Sequence, residues 1–123
     1  MLSGLRVLVV EDEPLMAEHI RDILTEAEAE VVGPLATVRE ARRFLKDGQP
    51  FDAALLDIGL SDGDVTPVLE SLRAQKVPTV VYTGVDVPEG VRRRHPEITV
   101  LQKPVLPAGL IGALKRAKRA QPD

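Results

Sequence analysis

The most informative absences in this chain are cysteine, tryptophan and any excess of positive charge. Without cysteine the protein has no disulfide, no thiolate metal site and no cysteine nucleophile. Aromatic side chains make up only 2% of the residues, so we do not expect the protein to bind nucleic acids by stacking on their bases. The formal net charge of −3 at pH 7 argues against a general nucleic-acid binder, which would normally be basic.

Long apolar runs are also missing. A membrane helix needs about 20 apolar residues, and no stretch of the sequence approaches that length. The amino terminus lacks a signal-peptide pattern, because the apolar run from Leu5 to Val10 is too short and contains Arg6. Together with the absence of cysteine, these features suit a reducing compartment, and we expect a cytoplasmic protein.

What the 123 residues do contain is a regular alternation of two patterns. Short, apolar, β-branched runs predict strands that are buried on both faces, and the amphipathic segments between them predict helices. The predicted strands are Arg6–Val10, Glu30–Gly33, Ala53–Asp57, Thr79–Tyr82 and Thr99–Leu101. In a chain long enough for one domain, this alternation predicts an α/β fold with a doubly wound parallel sheet.

Several residues mark the expected helix ends. Thr37, followed by Glu40, forms a capping-box pattern that begins the second helix. Asp64 is the predicted N-cap of the third helix. The stretch from Gly84 to Pro96 is broken by glycine and proline, and leaves room only for a short fourth helix at about Glu89–Arg94.

Polar residues follow the predicted strands at the edge where such sheets place their sites. These residues are Glu11, Asp12, Asp57, Thr83 and Lys103. A partly buried carboxylate cluster must protonate or bind a cation, and oxygen ligands without cysteine or paired histidine favour Mg²⁺. A carboxylate beside Mg²⁺ can attack a phosphoryl group and become an aspartyl phosphate. Lys103 and Thr83 offer an ammonium and a hydroxyl group for its oxygens.

Each of these residues, taken alone, also has an ordinary structural interpretation. The acid pair is most often a solvated strand end, Asp57 could cap a turn, and Thr83 and Lys103 could be plain loop residues. His19 and His95 lack metal-ligand spacing, and we expect no functional role for either. Basic runs in the fourth and last helical segments are expected to be solvated faces.

Taken together, these residues resemble the receiver domain of two-component response regulators. The matching segments are Val9-Val10-Glu11-Asp12-Glu13-Pro14, Leu55-Leu56-Asp57-Ile58-Gly59-Leu60, Val80-Val81-Tyr82-Thr83-Gly84 and Leu101-Gln102-Lys103-Pro104. The resemblance covers about residues 4 to 120, and it holds in order and spacing as well as in residue type. It implies a flavodoxin-like fold with strand order 2-1-3-4-5 in a stand-alone, single-domain receiver.

The resemblance also implies roles for the acids. Asp57 would be the phosphoacceptor, and Glu11 and Asp12 would be the acidic pair for Mg²⁺, with the backbone carbonyl of Gly59 as a further ligand. The phosphoryl group would come from a histidine kinase or a phosphotransfer protein. The receiver itself would catalyse the transfer and the later hydrolysis.

The resemblance further implies that Thr83 is the switch hydroxyl and that Lys103 pairs with the phosphoryl group. The Lys103–Pro104 bond is often cis in this family, which would aim the lysine at the site. This chain departs from the common pattern at Val100, where many receivers have an aromatic residue whose burial reports phosphorylation. Tyr82 is a possible substitute, although strand packing is its expected role. Gly84 stands where alanine is common and predicts a more open site.

A stand-alone subgroup of the family has Thr-Gly after the fourth strand and a reduced fourth helix, as this sequence does. We expect output without a DNA-binding domain, since the chain ends near Asp123. Protein contact, a phosphorylation-dependent homodimer or competition for phosphoryl groups would then carry the signal.

Other functions fit this sequence less well. A receiver-like scaffold that is never phosphorylated would have no reason to hold three carboxylates together. An aspartate-nucleophile phosphatase normally has Asp-x-Asp after the first strand, where this chain has Glu11-Asp12-Glu13. The first strand is not followed by a glycine-rich loop, which argues against a dinucleotide site or a P-loop.

Overall fold

The computed structural model describes residues 2–59, 64–84, 87–96 and 98–120. Within these ranges, strands and helices alternate as predicted. The strands are β1 Arg6–Val10, β2 Glu30–Leu35, β3 Ala53–Asp57, β4 Thr79–Thr83 and β5 Thr99–Gln102. The helices are α1 Pro14–Glu26, α2 Val38–Asp47, α3 Thr66–Ala74, α4 Glu89–Arg94 and α5 Pro107–Ala120. Leu60 of the quoted motif, residues 85–86 of the segment after Gly84, and 121–123 lie outside the described residues.

The described strands form one parallel sheet in the order β2-β1-β3-β4-β5. This confirms the predicted flavodoxin-like topology. The register pairs Val10 with Leu56 and Asp57 with Tyr82. Because the strands are parallel and in this register, the residues that follow β1 and β3 meet at one edge of the sheet.

Alternation along the strands explains why their apolar runs are continuous. Side chains of successive strand residues point to opposite faces. Val7 and Val9 therefore pack in the core cluster that includes residues of α1 and α5, whereas Leu8 and Val10 pack in the cluster that includes α2 and α3. Both faces of the sheet are covered, and the polar groups of the site are left at its edge.

Helix ends follow local chemistry, with one correction to the sequence prediction. Thr37 is confirmed as the N-cap residue that begins α2, since its Oγ1 accepts a hydrogen bond from the N–H of Glu40 at 3.0 Å. The short α4 is also confirmed. Asp64, however, is not the N-cap of α3, because the cap position is Val65. Asp64 instead accepts from the N–H and the hydroxyl of Thr66, at 2.9 and 2.7 Å.

The prediction for β2 was wrong at its end. We expected the strand to stop at Gly33, but it continues to Leu35. Gly33 adopts a φ of +96°, and a Cβ there would lie 3.0 Å from the carbonyl oxygen of Val9. The register with β1 shifts at this point, and pairing resumes at Leu35. Glycine therefore permits a close backbone approach within the strand instead of ending it.

Candidate functional site

Glu11 is fixed at the end of β1 by hydrogen bonds to both carboxylate oxygens. Only 2% of the residue is exposed. Its Oε2 accepts from the backbone N–H of Glu13 at 3.0 Å, and its Oε1 accepts from the hydroxyl of Tyr82 at 2.9 Å. The N–H of Glu11 donates to the carbonyl of Leu35 at 2.8 Å. These contacts hold the carboxylate in one orientation.

Asp57 ends β3 and is also buried. Its Oδ1 accepts from the N–H of Gly59 at 2.8 Å, and its Oδ2 lies 3.6 Å from the ammonium nitrogen of Lys103. One carboxylate oxygen from each of Glu11, Asp12 and Asp57 lies within 4.8 Å of the others. The structure thus brings together the three acids that the sequence predicts to converge.

Thr83 is the last residue of β4, and Lys103 is the first residue after β5. Thr83 is buried, and its carbonyl accepts from the N–H of Lys103 at 2.9 Å, so the two residues are neighbours across the strands. The Lys103–Pro104 peptide bond is cis, as the resemblance implied. A Cβ on Gly84 would lie 3.8 Å from Cδ of Lys103, so Gly84 borders the lysine stem.

Charging all three acids at this edge of the sheet is electrostatically unfavourable. Burial raises the pKa of Glu11 to about 7, the backbone N–H of Glu13 opposes that rise, and the neighbouring Asp57 carboxylate adds to it. Three carboxylates exceed the charge that the ammonium of Lys103 can balance. The cluster has the spacing to hold a metal ion, and its donors are all oxygen atoms, as Mg²⁺ prefers.

Tyr82 is the site residue that sequence reasoning missed. It lies in β4 with 0% exposure, in the same core cluster as Val80. Its hydroxyl nevertheless reaches Glu11, and the ammonium of Lys103 lies 5.4 Å from the centre of its ring. Burial, followed by the negative charge of Glu11, raises the pKa of the Tyr82 hydroxyl, so it stays a hydrogen-bond donor. The available signal was that a buried tyrosine hydroxyl usually needs a partner.

Among the described residues, neither histidine belongs to the acid cluster. His19 projects from α1, and its Nε2 is 2.7 Å from the carbonyl oxygen of Val105, so it ties α1 to the loop before α5. His95 was expected in a charged loop but is buried at the C-terminal end of α4, near the start of β5. Burial and the nearby guanidinium of Arg73 lower the pKa of His95.

Comparison with known proteins gives one consistent family. A family model described as "Response regulator receiver domain" matches residues 7–115. The sensor protein TorS of Escherichia coli strain K12 is 32% identical over 118 residues, which cover 92% of this chain and 13% of TorS. The transcriptional regulatory protein TcrA of Mycobacterium tuberculosis is 42% identical over 80 residues, which cover 65% of this chain and 31% of TcrA. The chain therefore spans less than a third of the length of each of these relatives.

Solved structures agree with this result. A response regulator receiver protein from Sinorhizobium medicae WSM419 aligns with a TM-score of 0.85 at 25% identity, over 98% of both chains. The BeF3-activated conformation of SdrG from Pseudomonas melonis Fr1 aligns with a TM-score of 0.76 at 38% identity, over 96% of this chain and 99% of that one.

The fold and the acidic edge define a flavodoxin-like signalling domain. The chain belongs to the response regulator receiver domain family of two-component systems. Within the described residues, each helix is too short or too polar to cross a bilayer.

Proposed function

We propose that this receiver is a phosphorylation-controlled switch and that Asp57 is its phosphoacceptor. The placement of Asp57 carries the proposal, because its carboxylate is buried beside two other acids and lies 3.6 Å from the ammonium of Lys103. A carboxylate that attacks phosphorus must approach negatively charged oxygens, so it needs positive charge close by. Lys103 supplies such a charge next to Asp57.

In the proposed transfer, a carboxylate oxygen of Asp57 bonds to phosphorus while the bond from phosphorus to the donor's imidazole nitrogen breaks. The imidazole, protonated on its other ring nitrogen, leaves as a neutral ring with the electron pair of that bond, and an aspartyl phosphate remains. Lys103 pairs its ammonium with one phosphoryl oxygen, and Thr83 donates its hydroxyl to another. Water later attacks the phosphorus, and Asp57 leaves as a carboxylate.

The acids have a separate role. Glu11, Asp12 and Asp57 would hold Mg²⁺, with the carbonyl of Gly59 as a further ligand. The donors are all oxygen atoms, as that ion prefers, and one oxygen of each acid lies within 4.8 Å of the others. When bound, Mg²⁺ supplies positive charge that balances the acids and the phosphoryl oxygens. Glu11 contributes a carboxylate that is already oriented by Glu13 and Tyr82.

The phosphoryl donor would be a histidine kinase or a phosphotransfer protein that docks beside this edge. Two leucines are exposed on the segments that follow β1 and β5, Leu15 at 74% in the first turn of α1 and Leu106 at 61% just before α5. The contact of His19 with Val105 joins the segments that carry them. Exposed apolar side chains on the segments that follow β1 and β5 would suit a protein partner that must place one imidazole on Asp57.

Phosphorylation would then alter the protein surface that a partner reads. Thr83 and the chain after it would move towards the added phosphoryl group, shifting an equilibrium between two conformations. Val100, where an aromatic switch residue would stand, is a small aliphatic side chain on β5. Output would therefore proceed without an aromatic rotamer change, through protein contact or a homodimer, in a cytoplasmic signalling pathway.

The test is incubation with a small phosphodonor and Mg²⁺, read by intact mass. The wild type should gain one acid-labile phosphoryl group, and Asp57→Asn should gain none. Asp22→Asn, an exposed acid on α1, is the matched control and should behave as wild type. Undiminished labelling of Asp57→Asn would refute the acceptor. The SdrG relative was solved in a BeF3-activated conformation, so beryllofluoride is a second probe that a non-phosphorylated scaffold should not bind.

A further inference from the structure

The contacts of Tyr82 connect groups on both sides of Asp57. Its hydroxyl donates to Oε1 of Glu11 at 2.9 Å, while the carbonyl oxygen of Val10 is more distant at 3.4 Å. Its ring lies beneath the ammonium of Lys103 at 5.4 Å. In the sheet, Tyr82 is the register partner of Asp57 itself.

We propose that Tyr82 is a positioning residue of the phosphoryl-accepting site, which orients the carboxylate of Glu11 and supports the ammonium of Lys103. This inference rests on the proposed function and adds a residue to it. Tyr82 touches neither a reacting atom nor the phosphoryl group, so it acts through its two neighbours.

The hydroxyl distinguishes a positioning role of Tyr82 from a role in core packing alone. A phenylalanine would fill the same space in the core, since the ring alone packs against that cluster. A hydrogen bond to a carboxylate is stronger than one between neutral groups, and Oε1 is the oxygen that the Glu13 backbone leaves to another donor. Removing the hydroxyl would take away the donor at Oε1 and leave the Glu13 N–H at Oε2.

The ring makes the second contribution. A cation within about 6 Å of an aromatic ring centre is attracted by the ring face, and the ammonium of Lys103 meets that distance. The side chain of Lys103 is 30% exposed, so it has room to leave Asp57 for solvent. The ring and the Asp57 carboxylate together favour the inward position.

Two substitutions separate the contributions, and Val80→Ala is the control because Val80 lies in the same strand and core cluster. Calorimetric titration with Mg²⁺ alone should show about tenfold weaker binding for Tyr82→Phe, the usual loss when a residue that orients a metal ligand is removed. Val80→Ala should lose stability but keep wild-type Mg²⁺ affinity. Equal Mg²⁺ affinity in Tyr82→Phe and wild type would overturn the proposed role of the hydroxyl.

Transfer kinetics test the ring. At saturating Mg²⁺, Tyr82→Phe should regain the wild-type rate of phosphorylation, whereas Tyr82→Leu should stay several-fold slower. A Tyr82→Leu rate equal to that of Val80→Ala would overturn the role of the ring. If the wild type takes no phosphoryl group, the proposed function fails, and the Mg²⁺ titration still decides the role of the hydroxyl.

The chain provides its own spectroscopic readout. Tyr82 is the single tyrosine, and there is no tryptophan, so intrinsic tyrosine emission reports the environment of this one side chain. Mg²⁺ should change the wild-type emission with the same affinity that calorimetry gives. Constant emission through a calorimetrically saturating titration would contradict the link between the hydroxyl and the acids.

Discussion

Acidic residues lie both where the strands of the sheet begin and where they end, but their surroundings differ. At the edge where the strands begin, Arg6 lies 3.3 Å from Oε2 of Glu30 and donates to the carbonyl of Pro50 at 2.6 Å, while its backbone N–H donates to Asp52 at 2.8 Å. Glu30 and Asp52 are exposed to water. At the edge where the strands end, Glu11 and Asp57 are buried with Asp12 beside them.

The two groups of acids therefore have different effects on the stability of the fold. The acids at the first edge each meet a local donor or cation in water, where repulsion is weak. At the second edge, burial raises the pKa of Glu11, and the neighbouring Asp57 carboxylate adds to that rise, so the charged form of Glu11 is disfavoured there. Such a site is stabilised by a cation or a proton, and this makes it responsive.

Removing the cation at the second edge should therefore have a different effect from removing the cation at the first edge, and this is the largest effect that we expect. Lys103→Ala should slow phosphoryl transfer to Asp57 about a hundredfold at saturating Mg²⁺, the usual loss when one charge-stabilising donor is removed. Arg6→Ala should leave the transfer rate unchanged and lower the free energy of unfolding by about 1 kcal/mol. Rates come from labelling with a small phosphodonor, and stabilities from urea unfolding. A transfer defect in Arg6→Ala as large as that of Lys103→Ala would remove the distinction.

The pH dependence of stability should trace to the second edge. Folding raises the pKa of Glu11 from 4.5 to about 7, so the folded chain binds this proton more tightly than the unfolded chain. Its contribution to stability is complete below pH 4.5 and is lost as the pH rises to about 7. Its size is on the order of 3 kcal/mol.

Urea unfolding of metal-free protein at pH 5 and at pH 7.5 measures that loss. Glu11→Gln keeps the size of the side chain without the titrating group, and it should flatten the profile. Mg²⁺ added at pH 7.5 should restore stability to the wild type, because the ion binds the folded state. Identical pH profiles for the wild type and Glu11→Gln would assign the dependence to other groups.

The sequence predicted those parts of the molecule that depend on local pattern. β1 and β3 match their predicted bounds because each is a short apolar run closed by a carboxylate. β2 was predicted too short, because pairing of Leu35 with β1 overrides the Gly33-Pro34 signal. That pairing depends on a close approach to Val9 that no local pattern encodes.

The sequence likewise predicted one part of the site and not the other. Glu11, Asp12 and Asp57 could be predicted to converge, because strand order alone places their strand ends together. The role of Tyr82 could not, since its hydroxyl partner Glu11 lies 71 residues away. An aromatic residue in an apolar strand indicates packing, and only the geometry shows that the same side chain also reaches an acid.

The smallest effects that we expect come from substituting one glycine near each edge. Gly84, at the site edge, leaves space beside Lys103, and an added Cβ would make an ordinary 3.8 Å contact with its stem. Gly48 ends α2 before β3 with a φ of +72° and nothing within 4 Å of an added Cβ, so its role is conformational. Gly84→Ala should slow phosphorylation and dephosphorylation by a few-fold with little change in stability. Gly48→Ala should lower the free energy of unfolding by about 1 kcal/mol and leave both rates unchanged. If Gly84→Ala left both rates at wild-type values, the openness of the site at Gly84 would have no part in its chemistry.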